Sequence, residues 1–135
     1  LLLEDYIIGT VAAEMPASFE NEALKAQAVC ARTYSFHKLL ENKKYPGGAN
    51  LSDDINSCQA YITQEEFYQR HPGYKNLYKK VKAAVGETRG EIMIYDDEPI
   101  DALYHSTCGG QTESAFSLWG KDIPYLRSEK CRYCK

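Results

Sequence analysis

An apolar stripe at helical spacing opens the chain and ends on a carboxyl group. Leu3, Ile7 and Val11 recur every four residues. Glu14 takes the next place on that face of the helix. Pro16 disfavours helical geometry at the residue before it, so the helix is expected to cover residues 3 to 14. The pattern therefore predicts a glutamate that faces inward at a helix terminus.

A carboxyl group in that position has one chemical use and two structural ones. Desolvation favours the protonated form of a carboxyl group. A proton retained near neutral pH is what a general acid requires. The structural alternatives are a carboxylate that caps a neighbouring loop and one that pairs with a buried arginine. The position of Glu14 alone leaves these three interpretations open.

Length and composition predict one globular domain covering residues 1–135. Hydrophobic residues make up 44% of the chain and charged residues 26%, which is ordinary for a folded protein with one core. A net charge of -3 without a basic, aromatic-rich stretch excludes the usual signature of nucleic-acid binding. No apolar run is long enough to span a bilayer. Because the chain begins inside a helical pattern, we expect it to be a piece of a longer protein.

Helical patterns come first and strand patterns later, which predicts the α+β class. A second helix is expected from Ser18, its N-cap, to about Glu41. Thr63 and Glu66 form a capping-box signature for a further helical stretch, which resumes after Pro72-Gly73 and ends near residue 86. Residues 91–95 and 100–105 are expected to form a β-hairpin around a turn at 96–99, followed by an irregular tail. The expected architecture is helices packed on a small antiparallel hairpin, with a substrate groove.

Arg32 lies beside the packed face of the predicted second helix. A guanidinium group there could hold a substrate carboxylate or a sugar hydroxyl, or it could orient Glu14. The alternative is an arginine on the helix surface that pairs with a loop.

A histidine leaves the predicted hairpin and enters a Gly-Gly turn in the segment His105-Ser106-Thr107-Cys108-Gly109-Gly110-Gln111-Thr112. Glycine lets a backbone approach a ligand closely, so the amides of this turn could donate to a substrate oxygen. The alternative is an ordinary turn that ends a strand.

Five cysteines leave at least one outside any intramolecular disulfide. Cys131 and Cys134 form a Cys-x-x-Cys pair, and with His105 and Cys108 they would suit a structural, tetrahedral zinc site. A disulfide from Cys108 to either member of the pair, or unpaired thiols, are the alternatives. Cys58 could in principle act with a histidine as a hydrolase nucleophile, but no local motif supports that chemistry.

Several separated segments, in order, resemble the stage II sporulation protein D family, which also includes amidase-enhancer proteins of vegetative cells. The resemblance covers nearly the whole chain. It is carried by residues 3–6 (LEDY), 11–16 (VAAEMP), 22–29 (EALKAQAV), 31–34 (ARTY), 58–61 (CQAY), 104–112, 119–120 and 124–126.

The resemblance implies a lytic transglycosylase of peptidoglycan with its catalytic glutamate at Glu14. Such enzymes cleave the β-1,4 bond between N-acetylmuramic acid and N-acetylglucosamine, leave a 1,6-anhydro end, prefer strands stripped of stem peptides, and need no cofactor for catalysis. One acid suffices, whereas ordinary glycosidases use two carboxyl groups. The residues expected to line the groove are Gln27, Arg32, Tyr34, Gln59, Tyr61, His105, Ser106 and Gln111.

The resemblance also implies a location and partners. The location is the extracytoplasmic cell envelope, in the septal space, with an anchor outside this chain. The partners are glycan strands, a cell-wall amidase and a membrane-anchored protein of engulfment. Some members bind zinc through His and Cys before the Cys-Gln-x-Tyr motif, but here Ser52 and Ser57 surround Cys58, so that set is incomplete. The rival hypotheses are a non-catalytic enhancer of an amidase and a zinc-stapled structural domain with a vestigial cleft.

Overall fold

The computed structural model describes residues 1–134 and has the predicted α+β fold. Its regular structure within those residues is five α-helices, a short 3-10 turn at Pro46–Gly48 and a two-stranded antiparallel sheet. The chain divides into two compact units, one from Leu1 to Ala102 and one that begins at Leu103. The expectation of a single domain remains a prediction.

Three helices form the centre of the first unit. They are α1 (Leu3–Glu14), α2 (Asn21–Leu40) and α4 (Lys75–Glu87), and each contacts the other two. Fully burying an aliphatic side chain of leucine size contributes roughly 2 kcal/mol. No helix in residues 1–134 combines the length and the apolar character needed to cross a membrane. The most deeply buried apolar side chains of the core are Ile7, Val11, Leu24, Ala28, Ala31, Val81 and Val85.

Local sequence signals account for the end of α1 and the start of α3. Helix α1 has the predicted bounds, and Met15 after it is extended, with φ -131 and ψ 137. Helix α3 (Gln64–Arg70) begins with the predicted capping box, because Thr63 Oγ1 accepts from the Glu66 amide and the Glu66 carboxylate accepts from the Thr63 amide. Ser18 is not the cap of α2, because residues 16–19 form a separate turn and Glu20 precedes the helix.

The β-hairpin is shorter than predicted and its turn is tighter. Strand β1 (Ile94–Tyr95) pairs with β2 (Glu98–Pro99), so only two residues connect them. Asp96 and Asp97 have φ of 49° and 63°, which is the type I′ geometry that matches the twist of two-residue hairpins. The prediction of a turn over 96–99 was therefore wrong, because two left-handed aspartates reverse the chain earlier.

The second unit contains little regular structure. Its helix, α5 (Ala115–Trp119), lies in the tail that was predicted to be irregular, and Ser114 caps it by accepting from the Ser117 amide at 3.1 Å. An isolated antiparallel bridge pairs Gln111 with Lys130. Of the described residues from 103 to 134, Ala115 alone is buried.

Candidate active site

Glu14 is the last residue of α1, and its side chain is exposed. The predicted burial of this residue is wrong. The apolar stripe continues from Val11 to Met15, four residues further on, and Met15 is the residue that packs against the core. A step of three residues puts Glu14 at the edge of the buried face, where the end of α1 leaves it uncovered.

One oxygen of Glu14 is held by the loop that precedes α3. The backbone N–H of Ala60 donates to Glu14 Oε1 at 2.7 Å. This is the loop-capping role that the sequence left open for the carboxylate. Within residues 1–134 no donor lies at hydrogen-bonding distance from Oε2, so the second oxygen is free to meet a ligand.

A glycine allows that loop to approach α1. The Ile62 amide donates to the Gly9 carbonyl at 3.3 Å. A Cβ atom on Gly9 would lie 2.3 Å from Tyr61 Cε2 and 2.6 Å from the Ile62 carbonyl oxygen, closer than real contacts allow. The absence of a side chain at Gly9 therefore permits the approach that brings Ala60 to Glu14.

A cleft of about 490 Å³ runs along the end of α1 and includes Glu14. Its walls are mainly apolar, and its polar lining side chains are Glu14, Ser18, His71 and Tyr74. The sequence predictions gave none of the last three to a groove. Ser18 was assigned to a helix cap, and His71 and Tyr74 lie in the connection from α3 to α4, which reaches the end of α1 only in the folded chain. The remaining lining residues are Ala12, Ala13, Met15, Pro16, Ala17, Phe67 and Leu77.

A second cleft of about 660 Å³ in the same unit includes Tyr61, a predicted groove residue. The rings of Tyr6 and Tyr61 stack in parallel, with centroids 5.5 Å apart and planes 5° from parallel. Burial raises the pKa of both hydroxyls, although the nearby side chains of Thr10 and Gln59 partly offset the effect at Tyr6. Both tyrosines are therefore neutral, flat aromatic surfaces at neutral pH, beside the loop that holds Glu14.

Three further predicted groove residues do not line the clefts of the first unit, and one of them, Gln59, fastens the loop that holds Glu14. Gln59 is 3% exposed, and its amide donates to Ser35 Oγ at 3.0 Å, which fastens the loop to α2. Gln27 is buried on α2. Tyr34 is half-buried, with the Lys38 ammonium 5.5 Å from its ring centroid, and burial raises the pKa of its hydroxyl. None of Gln27, Tyr34 and Gln59 is among the residues that line either cleft of the first unit.

Arg32 is a core residue, and its predicted place in the groove is corrected. Its side chain is 2% exposed, and its Nε and Nη2 donate to the two carboxylate oxygens of Glu4 at 2.8 and 2.9 Å. Nη1 and Nη2 also donate to the carbonyls of Glu91 and Val85. A guanidinium held by four hydrogen bonds within the fold stabilises packing and is not presented to a ligand.

The other predicted groove residues lie in the second unit. His105 and Ser106 are exposed, and His105 lines a cleft of about 340 Å³ together with Thr112 and Trp119. The side-chain amide of Gln111 donates to Ser128 Oγ at 2.7 Å. Gln111 therefore pairs two segments of this unit, and His105 is the member of the set with a cleft beside it.

Three of the four predicted metal ligands meet in the second unit. The sulfur atoms of Cys108, Cys131 and Cys134 lie within 4.8 Å of one another. His105 is not in this group and lines the cleft instead, so the predicted four-ligand set is corrected to three cysteines. All cysteines of the described residues are free thiols, so neither proposed disulfide is formed.

Neighbouring hydrogen bonds shift the pKa of two of these thiols in opposite directions. Hydrogen bonds from the backbones of Tyr133 and Cys134, with further ones from the Cys134 and Cys108 side chains, lower the pKa of Cys131 to about 7. The Cys108 backbone acts in the same direction on Cys134, but hydrogen bonds with the other two thiols raise its pKa overall. Cys131 therefore ionises at a lower pH than Cys134.

The chain is similar in sequence to known proteins over most of its length. The family model described as Stage II sporulation protein matches residues 1–95. The chain is 42% identical to the stage II sporulation protein D of Bacillus subtilis (strain 168) and 40% identical to that of Bacillus amyloliquefaciens, each over 98% of this chain and 39% of the relative. It is 35% identical to the amidase enhancer of Bacillus subtilis (strain 168), over 90% of this chain and 14% of the relative. The chain thus spans about two fifths of the sporulation relatives that it matches.

Proposed function

Because the chain belongs to the stage II sporulation protein D family, we propose that it is a lytic transglycosylase of peptidoglycan with Glu14 as its catalytic acid and base. The substrate is the β-1,4 bond between N-acetylmuramic acid and N-acetylglucosamine, in strands stripped of their stem peptides. The observation that carries the proposal is the Glu14 carboxyl in a cleft, with one oxygen fixed by the Ala60 amide and the other free.

The proposed reaction needs one carboxyl group. The proton on Glu14 Oε2 passes to the glycosidic oxygen as the bond from that oxygen to C1 of the muramic acid breaks. The C6 hydroxyl oxygen then bonds to C1, and its proton returns to Oε2. No water is consumed, and the product is a 1,6-anhydro ring. Among the described residues that line the cleft, Glu14 alone carries a carboxyl, which suits this scheme and not a two-carboxyl hydrolysis.

The hydrogen bond from the Ala60 amide orients the Glu14 carboxyl group for this reaction. Because a backbone N–H can only donate, its bond to Oε1 uses the better acceptor of a protonated carboxyl and favours Oε2 as the oxygen that carries the proton. The carboxyl is exposed in the free chain. In the proposed complex the sugar itself covers the carboxyl and excludes water from it, helped by the apolar walls of the cleft.

The other cleft side chains supply hydrogen bonds to a sugar. Ser18, His71 and Tyr74 each offer a donor and an acceptor, and they come from two connections of the first unit, α1 to α2 and α3 to α4. Clefts that bind small polar ligands combine a mainly apolar lining with a few such groups. We assign these three residues to substrate positioning and Glu14 to the chemistry.

The cellular setting of the proposal is wall remodelling at the septum during engulfment. The chain would act outside the cytoplasm, together with a cell-wall amidase that strips the strands and with a membrane-anchored partner. Relatives named for stage II of sporulation support this setting.

A second candidate function is stimulation of an amidase without catalysis. The relative named an amidase enhancer favours it. Glu14→Gln separates the two, because the glutamine oxygen can still accept from the Ala60 amide but cannot donate an acidic proton. The transglycosylase proposal expects wild type to release anhydro-muropeptides from stripped strands and Glu14→Gln to release none, with Glu98→Gln on the exposed hairpin as the matched control. Wild type that releases none yet raises amidase activity supports the enhancer.

A further inference from the structure

The three clustered cysteines of the second unit lie on two segments, one around residue 110 and one around residue 131, which backbone hydrogen bonds join. The Cys131 amide donates to the Gly110 carbonyl at 2.9 Å, and the Thr112 amide donates to the Glu129 carbonyl at 2.9 Å. Gly110 has φ of 104°, and a Cβ there would lie 3.2 Å from the Cys134 carbonyl oxygen. The segments therefore meet through hydrogen bonds and a tight glycine contact, with no need of a bond between sulfur atoms.

The spacing of the sulfur atoms is close to that of a metal site. Zinc–sulfur bonds of about 2.3 Å in a tetrahedral site put two sulfurs about 3.8 Å apart. The three sulfurs lie within 4.8 Å of one another. Small side-chain rotations would bring Cys108, Cys131 and Cys134 to the metal-bound distance.

The described part of the second unit has neither an apolar core nor a covalent cross-link of its own. Chains of fewer than about 40 residues usually need a disulfide, a metal or association to fold. Residues 103–134 bury one side chain, Ala115, so they form no hydrophobic core of their own. The free thiols supply no covalent link. A bound metal would add to the hydrogen bonds a strong link between these segments from inside the unit.

We propose that Cys108, Cys131 and Cys134 bind one Zn²⁺ ion that fastens the second unit. Thiolate ligands select Zn²⁺ over Mg²⁺ or Ca²⁺, which take oxygen ligands. Binding releases the thiol protons, so the affinity rises with pH. A tetrahedral ion held by three thiolates would take its fourth ligand from outside the cluster, and the partial exposure of the cysteines would let water serve.

Cobalt titration tests this proposal with a direct optical signal. The reduced full chain is expected to bind one Co²⁺ and to develop thiolate-to-cobalt charge-transfer bands and the intense visible bands of tetrahedral cobalt, and Zn²⁺ is expected to displace it. Replacing Cys108, Cys131 or Cys134 by serine should abolish the bands. Cys30→Ser is the matched control and should keep them, because Cys30 lies on α2 in the first unit. Wild type without these bands at saturating Co²⁺ overturns the proposal.

Cysteine alkylation of the unmodified protein also tests whether the three cysteines bind zinc. Zn²⁺ is expected to protect Cys108, Cys131 and Cys134 from iodoacetamide at least tenfold and to leave the rates at Cys30 and Cys58 unchanged. Equal rates with and without zinc, or a disulfide within the cluster in zinc-treated protein, contradict the site. These measurements are independent of glycan cleavage, so loss of either proposal leaves the other standing.

Discussion

The carboxylate of Glu14 and the backbone amide of Ala60 are joined by a hydrogen bond of 2.7 Å. The bond connects the end of α1 to the residue that follows Gln59, which is itself fastened to α2 through Ser35. The candidate catalytic group is thus oriented by a loop whose own position is fixed in the core.

The hydrogen bond predicts that two substitutions of Glu14 will differ. Glu14→Gln keeps an acceptor for the Ala60 amide, whereas Glu14→Ala removes it and should lower the free energy of unfolding by about 1 kcal/mol. We expect amide hydrogen exchange at Ala60 to accelerate in Glu14→Ala and to stay near wild type in Glu14→Gln. Unchanged exchange in the alanine variant would mean that the bond is not formed in solution.

The contact between α1 and the loop predicts opposite effects at two glycines. Gly9→Ala would drive a Cβ to 2.6 Å from the Ile62 carbonyl, so it should destabilise the chain by at least about 2 kcal/mol. Gly86→Ala, in α4, meets no atom within 4 Å and should stabilise it by about 0.5–1 kcal/mol through helix propensity. Urea unfolding of both variants measures the difference. A harmless Gly9→Ala would contradict the packing of this loop.

The buried position of Arg32 predicts a large cost for losing its partner. Glu4→Gln leaves the guanidinium without a counter-charge and should cost about 3 kcal/mol. Glu22→Gln removes an exposed partner of Lys25, which also pairs with Glu87, and should cost less than about 1 kcal/mol. Chemical denaturation compares the two, and similar costs would argue that Arg32 is solvated.

The raised pKa of the buried Tyr78 hydroxyl predicts that the protein loses stability at high pH. Burial, with smaller effects from Tyr61 and Tyr68, raises the pKa of Tyr78 from 10.0 to about 12. The folded state thus favours the neutral phenol, and its contribution is complete below pH 10 and disappears between pH 10 and 12. Between pH 9 and pH 11, wild type should lose more unfolding free energy than Tyr78→Phe. Tyr133→Phe, at a position 95% exposed, is the control and should behave as wild type.

Sequence patterns predicted those features that depend on neighbours along the chain. The bounds of α1 follow from its stripe and Pro16, and the capping box of α3 follows from Thr63 and Glu66. The burial of Glu14 was wrong because a helical stripe can advance by three or four residues, and only packing selects Met15. The hairpin turn was misplaced because Asp96 and Asp97 adopt positive φ without a glycine.

The rest of the site depends on contacts between distant segments. Glu4 and Arg32 are 28 residues apart, and no local pattern pairs them. The donor to Glu14 is a backbone amide, which has no residue-type signal at Ala60. His71 and Tyr74 reach the cleft through the packing of α3 and α4. Residue types thus predicted Glu14 as the candidate catalytic group, whereas the residues that contact it and line its cleft could be identified only from the folded structure.

We propose that Glu14 cleaves glycan by intramolecular displacement, and isotope labelling of the products distinguishes this reaction from hydrolysis. Peptide-stripped strands are digested in ¹⁸O-labelled water and the released fragments are analysed by mass spectrometry. We predict 1,6-anhydro ends without ¹⁸O from wild type and Glu98→Gln, and no fragments from Glu14→Gln. Reducing ends that carry ¹⁸O, or anhydro fragments from Glu14→Gln at the wild-type rate, would contradict the claim.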